Sequence, residues 1–167
     1  MSHPSGNWTL QEDDARRMAS VLERFVEASG ARCALLIDRN GQLVLRVGAD
    51  PGFDSTSFAS LAAADFSAND QLASLMGEQE FSSLFHQGER ESMYLADIGR
   101  RVILVALFGE GATLGMIRIK ARSAVGELST ILAELLDRSS APQRTTELEP
   151  TWLDEAELEI DRLFGSL

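Results

Sequence analysis

The residues of this 167-residue chain that are best suited to chemistry are scattered and form no catalytic set. The only cysteine, Cys33, lies in an apolar run, and the two histidines are His3 and His86. Neither histidine has a nucleophile or a metal ligand at a spacing typical of a catalytic or metal site. The segment Gly109-Glu-Gly111 lacks the spacing and the lysine of a phosphate-binding loop, and Gly-x-Ser-x-Gly is absent. We therefore expect no active site of the chain's own, no cofactor and no metal.

The composition is that of one globular domain with some additional chain. Hydrophobic residues make up 44% of the sequence, and no apolar run is long enough to span a membrane. The N-terminus lacks the basic-then-apolar pattern of a signal peptide. A lone cysteine rules out an internal disulfide framework and fits a reducing cytosol, so we expect a cytoplasmic protein with Cys33 as a small core residue.

The charge of the chain argues against nucleic acids and anionic membranes as partners. The formal net charge is −11, whereas both kinds of partner require a basic surface. The acid is concentrated near the C-terminus, where residues 142–167 hold seven acidic and two basic side chains. These charges either match a basic partner surface or keep the segment soluble.

The hydrophobic pattern predicts eight elements in the order α-β-β-α-β-β-β-α. Their predicted ranges are 10–29, 33–38, 42–47, 55–77, 82–89, 92–97, 102–108 and 114–138. Thr9 and Glu12 resemble a capping box for the first helix, and Gly30 ends it. Asn40-Gly41 predicts a type I′ hairpin turn, and Asp54 an N-cap.

The short connections between strands favour an α+β fold with a five-stranded antiparallel sheet. The strands at 33–38 and 102–108 are apolar at nearly every position and should lie in the middle of the sheet. The first and last helices should pack together on one face. The middle helix should then cover the other.

The middle helix carries unusually small residues. Helical spacing suggests a core side, and the opposite side has a single charge, so another protein could approach its backbone closely. The predicted core side is Phe58, Leu61, Ala62, Leu72, Leu75 and Met76. The predicted partner-binding side is Ala59, Ser60, Ala63, Ala64, Ser67, Asp70, Gln71 and Ser74.

The chain divides into a flexible N-terminus (1–8), a domain (9–138), a linker (139–150) and a C-terminal amphipathic helix (151–167). An isolated helix of this length is marginal in water, and its apolar face on a tether is typical of a docking element. That face consists of Trp152, Leu153, Ala156, Ile160, Leu163 and Phe164, with Leu167 at its end. The alternative is that the helix packs back on its own domain.

These elements in this order resemble the Roadblock (dynein light chain) family. The resemblance rests on residues 35–43 (LLIDRNGQL) and on Leu114-Gly-Met-Ile-Arg-Ile119. Residues 57–61 (SFASL), 72–78 (LASLMGE), Phe81 and 85–90 (FHQGER) are similar to the bacterial MglB-type members, as is the ending 160–164 (IDRLF).

The resemblance implies a homodimer formed through the middle helices and the third strands. It implies that two copies engage one small Ras-like GTPase of the MglA type through the middle helix and accelerate GTP hydrolysis. They would do so by remodelling the switch loops and not by inserting an arginine. The C-terminal helix would touch the GTPase separately and aid nucleotide exchange. The resemblance also implies a role in cell polarity and gliding motility.

Two other functions remain open at the level of sequence. A dimeric adaptor or scaffold could use the middle helix and the C-terminal helix to recruit a partner without affecting hydrolysis. A PAS-like ligand sensor can share the five-stranded antiparallel sheet, but the chain shows no polar cluster suited to a buried ligand.

Overall fold

A computed structural model of the chain describes residues 10–140. They form the predicted α+β fold, a five-stranded antiparallel sheet with helices on both faces. The elements are α1 (Glu12–Ser29), β1 (Cys33–Asp38), β2 (Leu43–Gly48), α2 (Ser55–Leu75), β3 (Ser83–Gln87), β4 (Ser92–Ile98), β5 (Val102–Phe108) and α3 (Leu114–Ser140). The strand order is β2-β1-β5-β4-β3, so both apolar strands lie inside the sheet, as predicted.

The two apolar strands have this composition because both of their faces are covered. Ala34 and Leu36 of β1 contribute to the layer under α1 and α3, whereas Cys33, Leu35 and Ile37 contribute to the layer under α2. A strand covered on both faces has no position that favours a polar residue. Burial also raises the pKa of the Cys33 thiol, which makes it unreactive.

The β1–β2 hairpin differs from the predicted type I′ turn. Gly41 has φ +88°, but Asn40 does not have a positive φ. The Asp38 carboxylate accepts hydrogen bonds from the backbone N–H groups of Asn40 and Gln42, both at 2.9 Å. The Gly41 N–H donates to the Asp38 carbonyl at 3.0 Å. The Asp38 side chain thus stabilises a three-residue loop that needs left-handed backbone only at Gly41.

The predicted capping box of α1 is wrong. The helix begins at Glu12 with Gln11 as its N-cap, and Gln11 makes no side-chain capping bond. Glu12 is therefore the first helical residue and not the third, and Thr9 lies outside the described residues. Glu12, Asp13 and Asp14 instead place three carboxylates in the first turn, where they interact favourably with the positive end of the helix dipole. The helix ends at Gly30 in a left-handed conformation, as predicted.

The other predicted boundaries need small corrections. The Asp54 carboxylate caps α2 through the N–H groups of Thr56 and Ser57, as predicted. The helix ends at Leu75, because Gly77 is left-handed and the Glu78 N–H closes back onto the Ala73 carbonyl. β3 is shorter than predicted because the Gly88 N–H donates to the Glu91 carbonyl and closes the β3–β4 turn. The boundaries of β2, β4 and α3 shift by one or two residues.

Candidate functional site

Helix α2 packs on the sheet through its small residues. Its buried side chains are Ala59, Ala62, Ala63, Phe66, Asn69 and Ala73. Phe66 is the one large member and is fully buried, together with Leu35, Ile103 and Val105 of the sheet. The alanines let the helix backbone lie close to the strands, and Phe66 fills the space between them.

The predicted orientation of α2 is therefore largely wrong. Leu61, Leu72, Leu75 and Met76 were assigned to the core but are 71%, 56%, 84% and 70% exposed. Ala62 is buried as predicted, and Phe58 is half-buried and packs against Phe53 with ring centroids 4.7 Å apart. Relative to the predicted orientation, the helix is rotated about its axis by about a third of a turn, because Phe66 and not the leucines occupies the core.

The outward side of α2 forms a continuous apolar surface, which we call the α2 face. It consists of Leu61, Ala64, Ala68, Leu72, Leu75 and Met76. The first five recur at intervals of three or four residues and so line up along the helix. Single exposed leucines are common on protein surfaces, but a contiguous row of them is characteristic of an interaction surface.

Both carboxylates of α2 have a hydrogen-bond partner within the domain. The Asp65 carboxylate lies 2.7 Å from Nε2 of His86 on β3. The Asp70 carboxylate accepts a hydrogen bond from the Arg39 guanidinium at 2.7 Å. Since α2 carries no other charged residue, both charged side chains of this helix have a hydrogen-bond partner within the domain.

Arg39 ties three elements together on the side of α2 that packs against the sheet. Its guanidinium also pairs with Asp97 at the end of β4, donating from Nε at 3.1 Å. It lies over the Phe66 ring at 4.6 Å from the centroid. Burial alone would lower the pKa of Arg39, but the hydrogen bonds to Asp97 and Asp70 more than offset this and raise it. Arg39 therefore stays charged and holds the β1–β2 loop, α2 and β4 in register.

Replacing Arg39 with alanine should destabilise the domain. The change leaves Asp97, whose side chain is 10% exposed, without its cation. Losing hydrogen bonds between charged groups costs about 2 kcal/mol, which corresponds to roughly 4–8 °C in melting temperature for a domain of this size. Thermal melting of Arg39→Ala beside Arg90→Ala measures this. Arg90 is exposed and makes no ion pair among residues 10–140, so equal melting points for the two variants would contradict the prediction.

Strand β3 offers a second surface next to α2. It lies at the edge of the sheet, so one of its two sides has no strand beside it within the described domain. Its sequence, Ser-Leu-Phe-His-Gln, holds no lysine or proline, the residues that commonly protect an edge from pairing. A strand from another chain could therefore extend the sheet at β3.

The comparisons with known proteins agree with this architecture. A family model described as the Roadblock/LC7 domain matches residues 18–108, more than half of the chain. The chain belongs to the Roadblock/LC7 domain family. No curated protein sequence matches the chain significantly.

Solved structures of bacterial MglB proteins resemble this Roadblock/LC7 domain over nearly their whole length. Myxococcus xanthus MglB is 35% identical, with a TM-score of 0.72 over 76% of this chain and 96% of that chain. The gliding protein MglB of Thermus thermophilus is 34% identical, with a TM-score of 0.71 over 80% and 99%. A structure described as MglB with tetrameric arrangement is 34% identical, with a TM-score of 0.73 over 80% and 99%.

The structure separates the eight residues predicted to bind a partner into three groups. Ala59 and Ala63 are buried against the sheet and cannot contact a partner, which corrects the prediction for these two. Asp70 is half-buried and paired with Arg39. The remaining five are exposed: Ser60, Ala64, Ser67, Gln71 and Ser74. Of the eight, only Ala64 belongs to the α2 face.

Sequence reasoning missed the outward leucines because α2 is apolar on several sides. The pattern of side-chain sizes predicts large apolar residues in the core and small ones on the surface, whereas four of the six buried residues of α2 are alanines and its leucines are exposed. Phe66 is the residue that indicates the orientation of α2, because a helix that buries Phe66 also buries Ala59, Ala62, Ala63 and Ala73. The predicted docking residues of the C-terminal helix lie outside the described residues, as do the ranges 1–8 and 151–167.

Residues 10–140 contain neither a membrane-spanning helix nor a cluster of metal ligands. None of the helices there is long and apolar enough to cross a membrane. Within the same range, no group of three or more histidine, cysteine or acidic side chains is arranged to hold a metal ion.

Proposed function

We propose that this chain is a homodimeric regulator of a small Ras-like GTPase of the MglA type. The observation that carries the proposal is the α2 face, an apolar surface on the outside of the domain to which no charged side chain belongs. The similarity to MglB structures at 34–35% identity supports the choice of partner. A role in cell polarity and gliding motility is part of the same proposal.

The mode of assembly that fits these surfaces is side-by-side pairing of two copies. Pairing of the β3 edges would continue the sheet, and it would bring the two α2 helices to the same side of the extended sheet. Two copies together would offer one GTPase a broad apolar surface. This stoichiometry, two copies of the chain for each GTPase, follows the family resemblance.

In this proposal the chain accelerates GTP hydrolysis without supplying a catalytic group. Docking on the α2 face would stabilise one arrangement of the switch loops, in which the GTPase's own residues reach the phosphate. Such stabilisation requires only that the face binds this arrangement more tightly than the others. The C-terminal segment 151–167 would form a second contact and aid nucleotide exchange.

The first test is the mass of the protein in solution. One chain has a mass of 18.2 kDa, and we expect sedimentation equilibrium at micromolar concentration to give twice that value or a higher even multiple. One of the similar structures is described as tetrameric, so concentrations should cover several orders of magnitude. A mass of one chain throughout this range would contradict the dimer.

The second test is GTP hydrolysis by a purified Ras-like GTPase with and without the protein, under single-turnover conditions. We expect a large acceleration that saturates at two chains per GTPase. A complex that forms without acceleration would support the adaptor instead, and the absence of any complex would contradict both functions.

A further inference from the structure

A groove runs along α3 on the face of the sheet opposite α2. It has a volume of about 370 Å³ and lies between α3 and the strands β3 and β4. Its floor includes Tyr94 and Ala96 of β4, and its wall includes Ala121 and Val125 of α3. A neighbouring depression of about 340 Å³ continues along β3 past Phe85 to Leu114 at the start of α3. The groove thus follows the first half of α3.

Two arginines line this groove without an anionic partner among residues 10–140. Arg118 and Arg122 are both exposed, and neither makes an ion pair there. They are four residues apart, so they stand one above the other on the same side of α3 as Ala121 and Val125. The one carboxylate of the lining, Asp97, is paired with Arg39. The groove therefore combines an apolar floor with a pair of cations at the spacing of one helical turn.

The other large groove of the domain offers no such free cations. It lies between α1 and α3, and it is lined by Arg16, Arg17 and Arg24 among others. Arg16 pairs with Glu12. Arg17 pairs with Glu134 at 2.7 Å, and Arg24 pairs with Glu127 at 2.6 Å. An acidic ligand would have to break these pairs, so the groove beside β4 is the better anionic docking site.

The chain itself contains a segment with matching properties. As a helix, residues 151–167 place Trp152, Ala156, Ile160 and Leu163 on one face. Glu155 and Glu159 border this apolar face, and they too are four residues apart. A helix laid against α3 could therefore bury its apolar face on Tyr94, Ala96 and Val125 and set its two carboxylates opposite the two arginines.

We propose that the C-terminal segment 151–167 docks in the groove between α3 and β4, with Glu155 and Glu159 paired to Arg118 and Arg122. The docking requires no GTPase.

The length of the connection permits this docking. From Arg122 to the end of α3 at Ser140 is about 27 Å along the helix. The ten residues from 141 to 150 span up to about 33 Å when extended. Residue 151 can therefore return to the groove along the outside of α3. Tethering also keeps the local concentration of the segment near the millimolar range, so even a weak contact would be largely occupied.

Docking would make the segment a competitor of its own partner contact. The apolar face of residues 151–167 can be buried either in this groove or on another protein, but not in both places at once. The groove would therefore lower the apparent affinity of any partner that captures the segment, in proportion to the fraction that is docked.

Trp152 provides a direct measure of docking. Trp8→Phe leaves Trp152 as the single tryptophan of the full-length chain. We expect a blue-shifted emission and an acrylamide quenching constant several-fold below that of a synthetic peptide of residues 145–167. Arg118→Glu with Arg122→Glu should raise the quenching constant to the peptide value. The matched control, Arg101→Glu with Lys120→Glu, makes the same charge change away from the groove lining and should leave it unchanged.

A charge exchange decides whether the proposed pairs form. Adding Glu155→Arg and Glu159→Arg to the doubly reversed protein should restore the protection of Trp152. The same two substitutions alone should abolish it. Peptide-like quenching in the protein with native charges, equal effects of the groove and control reversals, or failure of the exchange to restore protection would each overturn the proposal.

Discussion

Replacing Leu72 and Leu75 with glutamate is expected to abolish self-association at micromolar concentration and to remove binding of the GTPase. The two leucines are 56% and 84% exposed in the single domain, so an interface on the α2 face would bury them. Burying one such side chain contributes about 1.5–3 kcal/mol, so losing two contributions weakens association by roughly 100-fold or more. The new carboxylates would also have to be desolvated without partners.

The control for this experiment makes the same kind of change on another helix. Met116 and Ile119 of α3 are 43% and 66% exposed. Met116→Glu with Ile119→Glu adds two charges and removes two exposed apolar side chains, but leaves the α2 face intact. Sedimentation and GTPase titration should distinguish the two double variants, while their melting temperatures should be similar. Unchanged self-association of the α2 variant would show that this face is not part of the dimer interface. Unchanged GTPase binding would show that it is not the GTPase-binding surface.

The choice of residue within α2 determines what such an experiment measures. Arginine at position 63 would meet the sheet, because Ala63 is 6% exposed. Loss of binding by Ala63→Arg would therefore reflect a damaged core. Ala64→Arg places the same charge on the α2 face without disturbing the core. Comparing the melting temperatures of the two variants separates an interface defect from a folding defect.

The elements of the fold could be predicted because their signals are local. The bounds of β1 and β5 agree with the structure, since each is an apolar run that ends abruptly at polar residues. Gly30 and Asp54 mark helix ends through the backbone and side-chain geometry that helices require. The layer arrangement follows, because helices with apolar stripes must cover a sheet that is apolar on both faces.

The candidate site could not be predicted to the same degree, because its orientation depends on packing. In α2 the size of a side chain does not indicate its burial. Alanines pack on the sheet because the backbone lies close to it, and Leu61 and Leu72 point outward. The pairing of Arg39 with Asp70 and Asp97 joins residues that are 31 and 58 positions apart, which no sequence spacing reveals. The hairpin turn was mispredicted because the side chain of Asp38 competes with the Asn-Gly preference.

Stimulated GTP hydrolysis is expected to survive the removal of any one arginine in the loops between the strands. Arg90, Arg100 and Arg101 lie in the turns at the ends of β4, and Arg39 of the β1–β2 loop is occupied by two carboxylates and the Phe66 ring. Arg100 holds a positive φ in the β4–β5 turn and lies 3.4 Å from Glu80. An arginine inserted into a GTPase active site supplies roughly 10³–10⁵ in rate. If the chain acts only on the switch loops, each alanine variant should keep its acceleration within a few-fold.

A lower rate of hydrolysis with Arg39→Ala could reflect unfolding and not the loss of a catalytic group, because this substitution should destabilise the domain. Its assay should run well below its melting temperature, and the protein concentration should saturate the GTPase. Under these conditions a binding defect is overcome by concentration, whereas the loss of a catalytic group is not. A fall of a thousand-fold or more at saturation, in any one of the four variants, would show that this chain supplies a catalytic arginine. Retention of the rate in all four would place the catalytic groups on the GTPase, with the α2 face acting on their positions.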